Sequence, residues 1–152
     1  MKKSIMLAVA LGLLGSPVYA QSDSTTDQTA TLNKLLSVYL DKAKEEAIKE
    51  GEKNPNPVFS TEAGRAVFTK RRTWSQKNFT CANCHTDNPK NVGKHIETKQ
   101  PIQPLAPSAN AKRFTDAAKV ERNFTVHCND LFDRDCYAQE KGDFLTYLMS
   151  VK

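Results

Sequence analysis

Apolar residues recur at spacings of three and four in four stretches of the chain, and each stretch predicts a helix. The first runs from about Thr29 to Glu50, with Leu32, Leu35, Leu36, Tyr39, Leu40, Ala43 and Ala47 forming one stripe. Gly51 stops it, and "NPNP" at 54–57 breaks the chain. The second begins after Ser60, a good N-cap for "TEAGRAVFTKRR", and places Gly64 and Phe68 on one face. A third starts at Thr115 or Asp116 and runs through "AAKVERNF", with Ala117, Val120 and Phe124 along one side. The last covers "AQEKGDFLTYLMSV" (138–151), where Phe144, Tyr147, Leu148 and Val151 share a face.

The intervening polar stretches carry different expectations. Residues 21–28, "QSDSTTDQ", lack apolar periodicity and are expected to be disordered. Residues 86–113 are rich in Pro, Asn and Lys, with no convincing strand. A loop of more than about 15 residues in a small domain usually wraps something or is disordered. The pattern predicts a small all-α protein, with residues 21–57 as a disordered start plus a helical extension on the outside of a main domain at 58–152.

At the N-terminus, Lys2 and Lys3 precede an apolar run at 5–15 that ends in Val18-Tyr19-Ala20. This reads as an export signal cleaved after Ala20, with the mature protein in the periplasm. Eleven residues rise only about 16 Å as a helix, short of a bilayer core of roughly 30 Å, so no membrane span is expected after cleavage. Loss of two lysines takes the net charge from +5 to about +3. So small a surplus argues against nucleic-acid binding, which wants a concentrated basic patch.

Export gives the four cysteines their meaning, because unprotected thiols oxidise outside the cytoplasm. Cys81-Ala82-Asn83-Cys84-His85 is the C-x-x-C-H signature for covalent haem c attachment. Two thiols one turn apart reach the two vinyl groups on one porphyrin edge, and the following imidazole reaches the iron. A thioredoxin-like pair would want a βαβ context, which is absent. A zinc site drawing on Cys81, Cys84 and two of His127, Cys128 and Cys136 remains as a lesser alternative. Cys128 and Cys136 lie in no second haem motif, and a disulfide is their expected fate.

The sixth iron ligand is read from absence. Of three methionines, Met1 and Met6 leave with the leader and Met149 sits at the end of the last helix. A Met/His iron is therefore not expected. His95 follows the proximal His85 too closely to reach the opposite face easily. His127, about 40 residues downstream, has chain enough to return on the distal side and is the candidate ligand.

Gly64 and Phe68 near the start, with Phe144 and Tyr147 at the end, resemble the first and last helices of class I cytochromes c, which cross through a glycine and an aromatic. More specifically, "PLAPSANAKRFTDAAKVE" (104–121), the 128/136 pair within "DRDC" and "EKGDFLTYL" (140–148), together with "CANCH", resemble the sphaeroides haem protein (SHP) family of monohaem cytochromes c. The resemblance implies a class I cytochrome c fold and a Cys128–Cys136 disulfide. It also implies a distal asparagine just before the first of these cysteines, one that leaves on reduction so that oxygen or nitric oxide binds. A dihaem cytochrome c and a membrane b-type cytochrome are the partners it implies. Here that position is His127, a stronger ligand than a carboxamide. The leading expectation is thus an exported electron carrier with one haem c held by Cys81 and Cys84, with His85 and His127 on the iron. Its alternative is a haem protein that binds O2, NO or a similar diatomic once His127 is displaced. No acid–base pair marks it as an enzyme.

Overall fold

The computed structural model describes residues 24–74 and 77–152. The expected leader at 1–20 lies outside the described residues. Five helices dominate: α1 (Ser24–Lys49), α2 (Thr61–Thr69), the single turn α3 (Ala82–His85), α4 (Ala117–Phe132) and α5 (Ala138–Ser150). Two small hairpins interrupt them, β1 (Arg72–Trp74) with β2 (Lys77–Phe79), and β3 (Gly93–Lys94) with β4 (Pro101–Ile102), both antiparallel. The second lies inside the stretch expected to lack strands. Two paired residues leave no period-two pattern to read. Among the described residues no helix is long and apolar enough to cross a membrane.

Local signals set most helix ends. Ser60 caps α2 by accepting from the Ala63 amide, and Asp116 caps α4 by accepting from the Lys119 amide. Asp133, in the left-handed region at φ 55°, ends α4. The helix therefore runs a further two turns beyond the "AAKVERNF" segment and carries His127 and Cys128. Helix α2 ends at Thr69, so that "KRR" is not helical but leads into β1.

The crossing of α2 and α5 is the tightest feature of the fold. A Cβ on Gly64 would lie 1.9 Å from the Asp143 carbonyl oxygen and 2.7 Å from the Tyr147 Cβ. Phe68, fully buried, packs its ring 5.6 Å from Tyr147 and 6.3 Å from Phe144. Asp143 is buried here, its carboxylate accepting from the Ser60 amide (2.7 Å) and the Gln139 side chain (3.0 Å).

Two expectations about the N-terminal segment need correction. Residues 24–28 are helical, not disordered, because Gln28 is buried and its amide donates to the carbonyls of Asn110 (2.9 Å) and Arg113 (2.7 Å). Nor is α1 an outer appendage. Leu32, Leu35, Tyr39 and Ala43 share one core with Val120 of α4 and with Ala138 and Leu145 of α5. Burying a large side chain is worth about 1.5–3 kcal/mol, so Leu32, Leu35 and Tyr39 anchor this helix firmly. Leu40, counted in the stripe, instead faces outward at 40% exposure. Polar contacts finish the seam: Glu46 accepts from the Ala138 amide at the start of α5, and Tyr39 donates to Glu121 of α4.

Candidate haem site

The cysteine motif occupies a single helical turn. Its amides close onto Cys81, with Cys84 N–H and His85 N–H both donating to the Cys81 carbonyl at 3.2 and 2.9 Å. Asn83 holds the approach by accepting from the Thr80 amide at 2.7 Å. This turn brings both sulfurs and the His85 imidazole to the wall of one cavity. The following loop passes so close that a Cβ on Gly93 would lie 2.0 Å from the Cys84 carbonyl oxygen. Only glycine fits there, a requirement that "NVGKH" did not betray.

The cavity has a volume of about 250 Å³ and a mostly apolar wall, including Val67, Ile102, Leu105, Leu131 and Phe144. It is bounded by α2, α3, α4, α5 and the long loop, which thereby wraps the site. His127 enters from α4, its Nδ1 within 2.8 Å of the Asn123 carbonyl one turn earlier. If Nδ1 carries the proton that carbonyl accepts, Nε2 is left with a free lone pair for a metal. The rings of His85 and His127 face each other with centres 6.5 Å apart and planes tilted by 39°. Two imidazoles on opposite sides of one metal, with bonds of about 2.0–2.1 Å, put their ring centres roughly 6.3 Å apart. The pair fits a shared iron.

Electrostatics agree with that use. The pKa of His85 is pushed down to about 4, chiefly by burial and then by His127 and the Arg113 charge. It therefore stays neutral, the form that binds metal. Burial pushes the Cys81 thiol up to about 11, which makes it a poor thiolate and disfavours a redox-active pair. The zinc alternative also fails on geometry. Cys128 and Cys136 are joined in a disulfide, and among the described residues no three His, Cys, Asp or Glu side chains form a metal-binding group.

His95 lines the same cavity, but His127 is the residue that meets His85. The His95 Nδ1 instead accepts from the amides of Glu97 (3.3 Å) and Thr98 (3.2 Å) within its own loop.

The disulfide pins the end of α4 beside His127. Cys128 is almost fully buried, and Asp133 turns the chain so that Cys136 can meet it. Arg134 braces the turn by pairing with Glu140 at 2.8 Å and stacking over Tyr137. Replacing both cysteines with Ser is expected to cost about 2–3 kcal/mol in the chain-entropy account. Denaturant unfolding of the haem-loaded protein measures this, and an unchanged midpoint would exclude it.

Comparison with known proteins decides the family. Residues 55–148 match the domain of unknown function DUF1924. The chain belongs to this family. It is 48% identical over 99 residues to cytochrome c'' of Methylophilus methylotrophus, covering 62% of this chain and 69% of that protein. The solution structure of that cytochrome c'', which addresses haem-ligand detachment, matches with a TM-score of 0.65 at 40% identity. The match covers 80% of this chain and 94% of that one. Oxidised SHP, an oxygen-binding cytochrome c, matches with a TM-score of 0.63 at 32% identity over 77% of this chain and 94% of its own. The expected class I cytochrome c-like, helical fold therefore holds. This DUF1924 protein is a monohaem c-type cytochrome carrying one covalently bound haem c.

Proposed function

We propose that this cytochrome is a redox-gated ligand-binding haem protein, in which His127 closes the distal side and leaves it on reduction to admit a small diatomic such as O2 or NO. Cys81 and Cys84 form the two thioethers, His85 is the permanent axial ligand, and His127 is the removable one. When bound, the haem supplies a one-electron couple and an iron site for the diatomic.

One observation carries the reading: the two facing imidazoles are held very unequally. His85 is partly buried and sits in the turn that bears both thioethers, backed by Gly93. His127 is exposed on α4, and a single bond to a helix carbonyl orients it. A ring so placed can swing away by a side-chain rotation without disturbing the core. The likeness to an oxygen-binding cytochrome c and to a cytochrome c'' studied for haem-ligand detachment supports this over a plain bis-histidine electron carrier.

In this reading residues 1–20 direct export to the periplasm, and 58–152 form the haem domain on which the preceding helix docks. The electron comes from a redox partner, for which a dihaem cytochrome c or a membrane b-type cytochrome is the candidate. The test is the absorption spectrum of oxidised and reduced protein with and without carbon monoxide. Low-spin ferric protein should become high-spin on reduction and convert promptly on adding the gas. A ferrous spectrum that stays low-spin and ignores carbon monoxide returns the protein to simple electron transfer.

A further inference from the structure

The side of α4 that borders the cavity carries Val120, Asn123, Phe124, His127 and Leu131, the three-and-four spacing of one helical face. Asn123 and His127 stand four residues apart on it, which puts their Cβ atoms roughly 5–6 Å from each other. They also meet directly, the His127 Nδ1 lying 2.8 Å from the Asn123 carbonyl. That contact uses only the main chain of Asn123. Its carboxamide is accessible, like the His127 ring, and makes no hydrogen bond among the described residues. Asn129 on the same helix, by contrast, commits its amide to the Thr125 carbonyl at 2.7 Å.

Helical side chains lean toward the N-terminus, so the His127 ring covers the turn that begins at Asn123. When the ring swings away, the space beside the free carboxamide opens. Asp130, which also lines the cavity from α4, carries a carboxylate that accepts but does not donate. Arg113 has no ion-pair partner among the described residues, yet its Nε and one terminal nitrogen are committed to the Pro104 and Gln103 carbonyls. Those bonds hold it to its own loop, not to the helix that His127 leaves. The diatomics differ in what they ask of such a donor. O2 gains negative charge on its outer atom when it binds, whereas CO stays nearly neutral. A hydrogen bond to a charged acceptor is roughly twice as strong as one to a neutral acceptor.

We propose that Asn123 is the hydrogen-bond donor of the open distal side: once His127 has swung away, the Asn123 carboxamide donates to the outer atom of the entering diatomic and makes the site favour O2 over CO. The proposal rests on the ligand-binding reading above and names the residue that sets its selectivity.

The test uses haem-loaded ferrous protein in a His127→Ala background, where the distal side is open whatever His127 does on reduction. Stopped-flow mixing measures O2 and CO dissociation, and infrared spectroscopy of the CO complex reads the C–O stretch, which a positive dipole beside the outer oxygen lowers. Asn123→Leu keeps the bulk and removes the donor. It is expected to speed O2 dissociation about tenfold, the loss of one charge-assisted hydrogen bond. CO dissociation should barely move, and the C–O frequency should rise. Asn123→Asp, which puts an acceptor where the donor stood, should raise that frequency further. A C–O frequency unchanged in both variants, or O2 and CO dissociation that speed up together, overturns the proposal. A parent protein that ignores carbon monoxide while His127→Ala takes it up overturns the gating alone, and the Asn123 variants still decide the donor.

Discussion

Ferric protein carrying His127→Ala is expected to be high-spin where the parent is low-spin, and added imidazole should restore the low-spin spectrum. The reasoning is geometric. The His127 ring stands 6.5 Å from that of His85 across the cavity, a spacing that suits one iron between them. Its removal leaves α4 intact, because the side chain is exposed and the helix is held by Val120, Cys128 and the Asp116 cap. The fold should therefore survive a change that transforms the spectrum. His95→Asn serves as the control and should keep the parental spin state. A His127→Ala protein that remains low-spin without imidazole would show that another residue supplies the sixth ligand.

Gly64→Ala is expected to lower stability by about 3 kcal/mol or more, at the upper end of overpacking costs. The added methyl would meet the Asp143 carbonyl at 1.9 Å, and that carbonyl belongs to a buried helix that cannot retreat alone. Moving α5 away would also separate Phe68 from Tyr147 and Phe144 and loosen the cavity wall. Gly51→Ala provides the contrast. It has nothing within 4 Å, and its φ of +100° makes the cost a matter of backbone conformation alone, on the order of 1 kcal/mol. Guanidinium unfolding of the haem-loaded proteins compares the two. A Gly64→Ala protein within about 0.5 kcal/mol of the parent refutes the close crossing.

Features set by short-range chemistry are legible in the order of the residues. The C-x-x-C-H turn, the Ser60 cap and the missing methionine are each properties of a few neighbouring positions or of composition. The start of α4 belongs with them, since Asp116 is a cap by its own side chain. The course of α4 past Phe124 is not legible, because "TVHCND" has no apolar stripe. What sustains that segment is the buried Cys128 and its bond to Cys136, which close only once Asp133 has turned the chain. Helix α1 shows the same division: its periodicity announces an apolar face, yet a stripe does not say what covers it. The burial of Gln28 follows from carbonyls more than 80 residues away.

Residue types and short spacings were enough to name a covalent haem c and a helical domain to enclose it, and to nominate His85 and His127 as candidate axial ligands. Those conclusions rest on groups that lie within a helical turn or two of each other, or on a residue that the chain lacks. Folding in three dimensions settled the rest: which histidine meets His85, how loosely it is held, that α1 is part of the core, and that Arg113 lies in the cavity wall. Exposure, facing geometry and uncompensated charge arise between residues distant in the chain. They come into being only when the helices cross at Gly64 and the loop closes over the cavity.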